Sequence, residues 1–357
     1  MDLKITPLDP AQMKQPPVDD FGFGGLFSNR MFTQHYTAGQ GWHDAQIGPH
    51  EPFSLWPSTA VFHYAQEIFE GTKAYRRADG RITLFPPGEN ARRFNESARR
   101  MVMPTVDEED HVAAIVKLVE LEQEWVPNAP GATLYIRPAM IATEAALGVH
   151  ASKTYLHFII ASPVGAYFKE GFNPVPVYIS DEYRRAVKGG TGAAKTGGNY
   201  AASLYVSEAV ARKGYSQVLW LDAIHGRYVE EVGAMNICFV YGGRHIVTPK
   251  LNGSILPGIT RQSLLTLAPN LGYEVSEETL DVNEVLADVQ SGKITEVFGC
   301  GTAAVIAPVG KFGYKDAEYI INDYQPGPVS HHLFDVLTGI QDGRLPDPYG
   351  WTYTIGD

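Results

Sequence analysis

The chain has 357 residues, which is enough for two domains of roughly 150 residues each. Hydrophobic residues make up 44% and charged residues 19%, a composition that can bury large cores and excludes a wholly disordered chain. With 29 Lys and Arg against 40 Asp and Glu the net charge is −11, so we expect no general affinity for nucleic acid or for an anionic membrane.

The first half of the chain alternates between strand and helix patterns. Residues 1–20 are rich in Pro and Asp and are expected to form an extended arm. Asn90 is the candidate N-cap of a helix that Pro104 ends, and Asp107 opens the next helix. The predicted elements are strands over 71–75 and 82–85, helices over 90–101 and 107–125, and strands over 133–143 and 155–162.

A segment rich in proline and glycine separates this half from the next. Residues 163–176 contain three prolines and two glycines, which is typical of a linker between domains. The predicted elements beyond it are strands over 177–180, 217–222 and 295–298, a hairpin-like region ending near 241, and helices over 200–212, 261–268, 282–290 and 330–340. We therefore expect an α+β fold with a small N-terminal α/β domain over 1–163, a linker over 164–176 and a larger C-terminal domain over 177–357.

The chain shows no signal for membrane insertion, export or metal binding. Its most apolar tract, residues 155–168, contains His157 and Pro163 and is shorter than the roughly 18 residues of a membrane span. The N-terminus lacks the apolar core of a signal peptide, so we expect a cytoplasmic protein. Cys238 and Cys300 fit neither a disulfide framework nor a zinc site, so we expect two buried thiols and no metal.

The most informative segment is residues 188–200, in which five glycines surround Lys195. One interpretation is a phosphate cradle, although a P-loop requires Gly immediately before the Lys, where this chain has Ala194. A second is a lysine that forms a Schiff base, because small neighbours allow a carbonyl cofactor to approach the backbone. A solvated surface loop is the third, and this segment alone leaves all three open.

Other segments provide what a pyridoxal phosphate site needs: an acid for the ring nitrogen and an anion pocket. Glu231 precedes a Gly-Ala turn and an apolar strand and is the candidate acid. The alternative interpretation is an ordinary exposed carboxylate at the end of a strand. The backbone N–H groups of Ile259 and Thr260, at the start of a helix, could bind an anion, as could the hydroxyl of Thr302. Arg93 is the arginine of its helix that we expect to turn inward toward a phosphate.

Five segments in order, 64–71, 189–200, 231–236, 256–262 and 299–303, resemble the branched-chain amino acid aminotransferases. This family belongs to the fold-type-IV pyridoxal phosphate enzymes, and the resemblance runs from about residue 23 to about residue 342. It implies a two-domain α+β fold, a homodimer and pyridoxal 5′-phosphate as cofactor. It also implies ping-pong transamination of leucine, isoleucine and valine with 2-oxoglutarate, through an internal aldimine on Lys195.

The resemblance further implies a role for individual residues. Lys195 would be the catalytic lysine and proton shuttle, Glu231 would contact the pyridine nitrogen and Tyr200 the 3′-oxygen. The implied phosphate ligands are Arg93, Arg185, Ile259, Thr260 and Thr302. The implied substrate residues are Phe23, Tyr64, Phe69, Tyr135 and Tyr167 in the side-chain pocket, Arg137 for glutamate and 2-oxoglutarate, and Ala234 and Ala303 for the α-carboxylate.

Two departures from the family qualify these implications. Ala304 and Ala307 stand where animal members carry a Cys-x-x-Cys pair, so thiol control of that kind is not expected. Ala234 replaces a threonine of some members and removes one hydroxyl from the carboxylate site. The alternatives are D-amino acid transamination or aminodeoxychorismate lysis on the same fold, and, from a different class, a P-loop nucleotide hydrolase.

Overall fold

The computed structural model describes residues 1–19, 21–165 and 172–356. The strands are β1 (Lys4–Ile5), β2 (Arg30–Thr37), β3 (Gly41–Pro49), β4 (Glu67–Phe69), β5 (Thr72–Arg76), β6 (Ile82–Phe85), β7 (Thr133–Ala142), β8 (Thr154–Val164), β9 (Val175–Ile179), β10 (Gln217–Leu221), β11 (Val229–Val232), β12 (Asn236–Tyr241), β13 (His245–Pro249), β14 (Glu274–Glu278), β15 (Ile294–Gly301), β16 (Val305–Tyr314), β17 (Ala317–Ile320) and β18 (Tyr353–Thr354). The α-helices are α1 (Ala60–Tyr64), α2 (Pro87–Arg100), α3 (Glu108–Leu121), α4 (Gly197–Ala211), α5 (Ile259–Asn270), α6 (Val282–Gln290) and α7 (Pro328–Gln341). The expected α+β class is confirmed.

The chain divides into two compact units. The first comprises residues 1–167, 194–197 and 339–357, and the second comprises 168–193 and 198–338. The domains expected from the sequence are continuous, whereas two remote segments are grouped here with the first unit. The C-terminal segment belongs to it because β18 pairs with β6, and residues 194–197 belong to it through hydrogen bonds to β4.

The first unit contains a sheet in the order β1-β3-β2-β8-β7-β5-β6-β18, with β4 paired to β7. Strand β7 runs antiparallel to both β8 and β5, so the sheet is built around the two long apolar strands that the sequence predicts. The expected N-terminal arm is extended at Lys4 and Ile5, but these residues pair in parallel with β3 and add a strand to the sheet.

One face of this sheet is covered by helix α3. Leu134 and Ile136 of β7 form a core with Ile115 and Leu118 of α3, and all four side chains are fully buried. Burying one such side chain contributes about 1.5–3 kcal/mol. Because side chains alternate along a strand, Tyr135 and the other odd-numbered residues of β7 point to the opposite face.

The two predicted helix starts differ in the structure. Asp107 caps α3, since its carboxylate accepts a hydrogen bond from the Asp110 N–H at 2.9 Å. The prediction that Asn90 caps α2 is wrong, because α2 begins with Pro87, a residue suited to the first helical turn. The Asn90 side chain instead donates to the Glu70 carboxylate at 2.8 Å and to the Gly71 carbonyl at 3.2 Å.

The second unit contains a mixed sheet in the order β11-β10-β9-β16-β15-β12-β13-β14, with β17 paired to β16. Its core includes the apolar face of α6, with Val282, Val285, Leu286 and Val289 buried. Cys238 and Cys300 lie on the neighbouring strands β12 and β15 and are buried free thiols, as expected. Across the described residues we find no cluster suited to a metal ion, and no helix has the length and apolarity needed to cross a membrane.

Candidate active-site residues

Lys195 lies in a peptide that is fixed to the first unit from two sides. Its N–H donates to the Ser97 hydroxyl of α2 at 3.0 Å, and its carbonyl accepts from the Phe69 N–H of β4 at 3.0 Å. The Thr196 hydroxyl donates to the Glu67 carbonyl at 2.7 Å, and the Gly197 N–H donates to the Glu67 carboxylate. The main chain around Lys195 is therefore held in place.

The side chain of Lys195 lies beside an aromatic wall. Its Nζ is 4.9 Å from the centre of the Phe69 ring. Phe69 pairs with Ala139 of β7, so Phe69 shares a sheet face with Tyr135 and Arg137, opposite to the face that α3 covers. The structure thus brings together the predicted catalytic lysine and three of the predicted substrate residues.

Arg137 lies close to two rings of this wall. Its Cζ lies 4.7 Å from the centre of the Phe69 ring and 5.3 Å from that of Tyr135, and its Nη2 donates to the Tyr135 hydroxyl at 3.2 Å. Its Nε is buried and has no hydrogen-bond partner among the described residues. A cation with an unused donor beside apolar rings suits a substrate that carries a carboxylate at the end of its side chain.

The other predicted wall residues have three different outcomes. The Phe23 ring is 5.4 Å from the Tyr135 ring and extends the same wall. Tyr64 ends α1, and its hydroxyl donates to the Leu147 carbonyl. Tyr167 lies outside the described residues.

Arg93 turns inward as predicted, but the partner that the structure gives it is a carboxylate. Its Nε and Nη2 donate to the two oxygens of Glu70 at 2.7 and 2.8 Å, and Glu70 is fully buried. The Gly71 N–H and the Asn90 amide donate to the same carboxylate. Burial raises the pKa of Glu70, but the charge and hydrogen bonds of Arg93 outweigh it and leave that pKa below its usual value.

Lys73 is a cation of the first unit that sequence reasoning missed. It pairs with Tyr135 across β5 and β7, so the two side chains share a sheet face. Only 7% of it is exposed, and burial lowers the pKa of its ammonium group to about 8. Lys73 lies just after the motif 64–71, on the next strand, and nothing in the local sequence indicates that it is buried.

In the second unit, Glu231 and Arg185 form a buried ion pair. Arg185 also donates to the Ser254 carbonyl at 2.6 Å, while its Nε is buried without a hydrogen-bond partner among the described residues. The Asn236 amide and the Leu256 N–H approach Glu231 at 3.4 Å. The structure therefore pairs two residues that were predicted to bind opposite ends of one cofactor.

Two turns of the second unit lie side by side. The Met235 N–H donates to the Val232 carbonyl at 2.9 Å and closes the turn that contains Ala234. Gly233 has a φ of +58°, and a Cβ at this position would lie 1.9 Å from the Gln217 amide oxygen, so the turn requires glycine. Thr302 and Ala303 follow β15, whose end pairs with the start of β12, so both predicted carboxylate turns lie at one end of adjacent strands.

The start of α5 provides backbone donors without a side-chain cap. Gly258 is the N-cap residue and supplies no capping group, and Thr260 in the first turn is buried. Unsatisfied N–H groups and the helix dipole make such a terminus suitable for a phosphate. These backbone donors and the buried Nε of Arg185 suit the phosphate of pyridoxal phosphate, and the Glu231 carboxylate suits its ring nitrogen. Tyr200 lies in the first turn of α4 and is partly buried.

The P-loop alternative does not fit this geometry. A P-loop joins the end of a strand directly to the start of a helix. Here β9 ends at Ile179 and α4 begins at Gly197, so residues 180–196 intervene. Residues 188–193 form turns, and Lys195 is tied to β4 instead of a phosphate-binding helix start.

Comparison with known proteins identifies relatives over almost the whole chain. The family model of class IV amino-transferases matches residues 67–312. A probable branched-chain-amino-acid aminotransferase of Staphylococcus aureus is 49% identical over 343 residues, covering 96% of this chain and 95% of the relative. A branched-chain-amino-acid aminotransferase of Mycolicibacterium smegmatis is 52% identical over 334 residues, covering 92% and 91% of the two chains.

Solved structures give the same result. The branched-chain amino acid aminotransferase of Escherichia coli matches with a TM-score of 0.75 at 27% identity, covering 90% of this chain and 99% of the other. The branched-chain amino acid aminotransferase of Thermobaculum terrenum, solved in its PLP form, matches with a TM-score of 0.74 at 25% identity, covering 92% and 99%. The fold and the family resemblance inferred from the motifs are both confirmed: the chain belongs to the class IV aminotransferases.

Proposed function

We propose that this protein transfers the amino group of leucine, isoleucine or valine to 2-oxoglutarate, giving the branched-chain 2-oxo acid and L-glutamate. The observation that carries the proposal is the fixed Lys195 peptide, which presents Nζ beside the wall of Phe69, Tyr135 and Arg137. The names of the relatives at about half sequence identity support branched-chain amino acids as the amino donors.

Pyridoxal phosphate, when bound, supplies the electron sink that makes the α-proton of an amino acid removable. Lys195 would hold it covalently, Glu231 would face the pyridine nitrogen and Tyr200 the 3′-oxygen. The proposed phosphate ligands are Arg93, Arg185, Thr302 and the N–H groups of Ile259 and Thr260. Arg93 and Arg185 each pair with a carboxylate, and because a guanidinium carries five N–H donors, both could also contact the phosphate.

The chain's own residues then divide the work of the reaction. The Lys195 amine accepts the α-proton of the substrate and later returns it, which requires the main-chain anchoring seen at Ser97 and Phe69. Glu231, paired with Arg185, would favour a proton on the ring nitrogen of the bound cofactor. In the turns at Ala234 and Ala303, backbone donors would bind the α-carboxylate.

One pocket must accept an aliphatic side chain and then a carboxylate. Phe23, Tyr64, Phe69, Tyr135 and Tyr167 are proposed to surround the aliphatic group, and Arg137 to bind the distal carboxylate of glutamate. The guanidinium carbon lies 4.7 and 5.3 Å from the centres of the two rings, so an aliphatic side chain would meet the rings, whereas a carboxylate would meet the N–H groups of Arg137.

We also propose a homodimer. Trp56, Phe62, Leu147 and Val149 of the first unit are large apolar side chains with 61–85% of their surface exposed. Helix α1 is joined to the loop at 147 by the hydrogen bond from Tyr64. Exposed apolar groups of this size are typical of protein interfaces. Light scattering should give twice the chain mass, and Leu147→Asp with Val149→Asp should weaken the assembly.

A cytoplasmic location is proposed from the acidic composition and the two reduced cysteines.

The visible spectrum of the purified protein tests the function. We expect a yellow protein that borohydride bleaches, leaving a pyridoxyl adduct on Lys195 in the peptide map. Lys195→Ala should keep the fold and lose transamination of L-leucine with 2-oxoglutarate. Rapid turnover of D-alanine without L-leucine turnover would overturn the proposed substrates, and an adduct on another lysine would overturn the site.

A further inference from the structure

Glu67 belongs to the motif 64–71 and has no role in the function proposed above. In the structure it contacts both residues that follow Lys195. Its carbonyl accepts from the Thr196 hydroxyl at 2.7 Å, and its carboxylate accepts from the Gly197 N–H. No local sequence pattern indicates the contact between Glu67 and Gly197, because 130 positions separate the two residues.

We infer that Glu67 is a positioning residue that fixes the Lys195 amine by holding the main chain on its C-terminal side. The inference rests on the proposed role of Lys195. Together with Ser97, which accepts from the Lys195 N–H, Glu67 fixes the peptide at both ends of the lysine. The Lys195 side chain is long and flexible, so the direction of its Cα–Cβ bond decides where Nζ can reach.

The close approach of Glu67 explains the residue that follows Thr196. A Cβ added at Gly197 would lie 2.4 Å from the Glu67 carboxylate, well inside van der Waals contact. A side chain at position 197 would push the carboxylate away from the N–H. The contact with the Glu67 carboxylate therefore requires glycine at position 197, and the two residues act together.

The burial of Glu67 is costly, which argues against an incidental contact. Burial raises the pKa of its carboxyl group, while hydrogen bonds from Gly197 and Thr196 and the charge of Arg137 only partly offset the shift. An uncharged residue would avoid this cost at the same place on β4. The carboxylate instead holds a main-chain donor directly beside the catalytic lysine.

The experiment compares three substitutions of Glu67. Glu67→Ala removes the acceptor, Glu67→Asp withdraws it by one methylene, and Glu67→Gln keeps an amide oxygen that can accept from Gly197. Each variant is measured for kcat with L-leucine and 2-oxoglutarate, for thermal unfolding, and for the pH midpoint of the visible absorbance change. That midpoint reports the surroundings of the Lys195 nitrogen and does not depend on turnover.

Glu67→Ala and Glu67→Asp should lower kcat by about tenfold or more, since a displacement of about 1 Å at a catalytic group can cost up to about a hundredfold. Both should move the pH midpoint by about half a unit or more, equivalent to a changed environment of the lysine nitrogen. Glu67→Gln should stay within about threefold of the wild type, because the hydrogen bond is kept. Glu96→Ala, an exposed carboxylate of α2, is the matched control and should change none of the three readouts.

The inference is overturned if Glu67→Ala and Glu67→Asp keep wild-type kcat and pH midpoint, even where thermal stability falls. Equal losses for Glu67→Gln and Glu67→Ala would also overturn it, because charge instead of the hydrogen bond would then be responsible. If Glu67→Ala does not fold, Glu67→Asp against Glu67→Gln makes the same comparison. Retained turnover in Lys195→Ala would instead refute the proposed function, independently of Glu67.

Discussion

The two units each contain a buried pair of arginine and glutamate, and the described hydrogen bonds around the two carboxylates differ in length. In the first unit, the fully buried Glu70 receives two hydrogen bonds from Arg93, one from Asn90 and one from the Gly71 N–H, all at 2.7–3.1 Å. In the second, Glu231 receives the contact from Arg185, while Asn236 and Leu256 approach only to 3.4 Å and the Arg185 Nε has no partner among the described residues.

We interpret Glu70 as a structural anchor and Glu231 as the proposed ligand of the cofactor. A buried carboxylate that holds four short hydrogen bonds joins the connection between β4 and β5 to α2 and has little capacity for a ligand. Glu231 also holds an ion pair with Arg185, but its contacts with Asn236 and Leu256 are longer, and the buried Nε of Arg185 has no hydrogen-bond partner among the described residues. Such a pair can rearrange around a bound molecule. We therefore expect changes at Glu70 to act mainly on folding and changes at Glu231 mainly on catalysis.

The largest effect is expected for Glu70→Ala. Removing one partner of a buried ion pair leaves the other charge uncompensated, which costs about 3–5 kcal/mol of unfolding free energy. Urea unfolding followed by circular dichroism measures the loss. The control is Glu89→Ala on the same helix as Arg93, whose pair with Arg92 is exposed and should contribute less than about 1 kcal/mol. Equal losses in both variants would contradict the anchor role.

Glu231→Gln should lower kcat by between about a hundred- and a thousandfold, the usual loss when a preorganised electrostatic contact is removed. Its effect on the unfolding free energy should be smaller than that of Glu70→Ala, because Arg185 keeps the Ser254 carbonyl as acceptor. Steady-state kinetics and urea unfolding give the two values. Glu274→Gln, in an exposed pair with Arg244, should change neither. If Glu231→Gln unfolded more readily than Glu70→Ala and kept the wild-type kcat, the comparison would be reversed.

Acid should destabilise the first unit through a buried pair of stacked imidazoles. The rings of His111 and His157 are 5.0 Å apart, and none of their nitrogens has a hydrogen-bond partner among the described residues. Burial lowers the pKa of His111 to about 4, and burial together with His111 lowers that of His157 well below its usual value.

The sign follows from proton uptake by the unfolded chain. Both rings are neutral in either state above about pH 6.5, so the unfolding free energy is independent of them there. Between about pH 6.5 and the pKa of about 4 of the buried His111, the unfolded chain binds protons that the buried rings do not, so stability should fall by about 1.4 kcal/mol per pH unit for each ring. Urea midpoints at pH 7.5 and 5.5 test this. His111→Phe should remove about half of the dependence, while His63→Gln, at an exposed site, should leave it unchanged.

The smallest effect is expected for Arg137→Leu, which changes selectivity within the aromatic wall. Losing a charge-assisted contact to the distal carboxylate should lower kcat/KM for 2-oxoglutarate by about tenfold or more. The kcat/KM for L-leucine should change less, because its side chain is aliphatic. Tyr135→Phe, which removes the hydroxyl that accepts from Arg137, is the milder companion. Equal losses for both substrates would show that Arg137 only supports the wall.

The sequence by itself determined the local chemistry of this protein. Small residues around Lys195, the acid before the Gly-Ala turn and the Pro-Gly helix start are patterns of neighbouring residues, and their order along the chain indicated the family. The Asp107 cap and the buried strands β7 and β8 were predictable for the same reason. Periodicity and capping depend on residues within a few positions of one another.

The tertiary structure alone decided which groups meet. Arg93 was expected to turn inward, but its partner Glu70 lies 23 positions away, and Asn90 joins that carboxylate instead of capping α2. The Lys195 N–H meets Ser97 across 98 positions. Such pairings follow from strand register and from the packing of helices on a sheet, which fix distances between residues remote in sequence. In the glycine-rich segment, these pairings hold the main chain on both sides of the lysine.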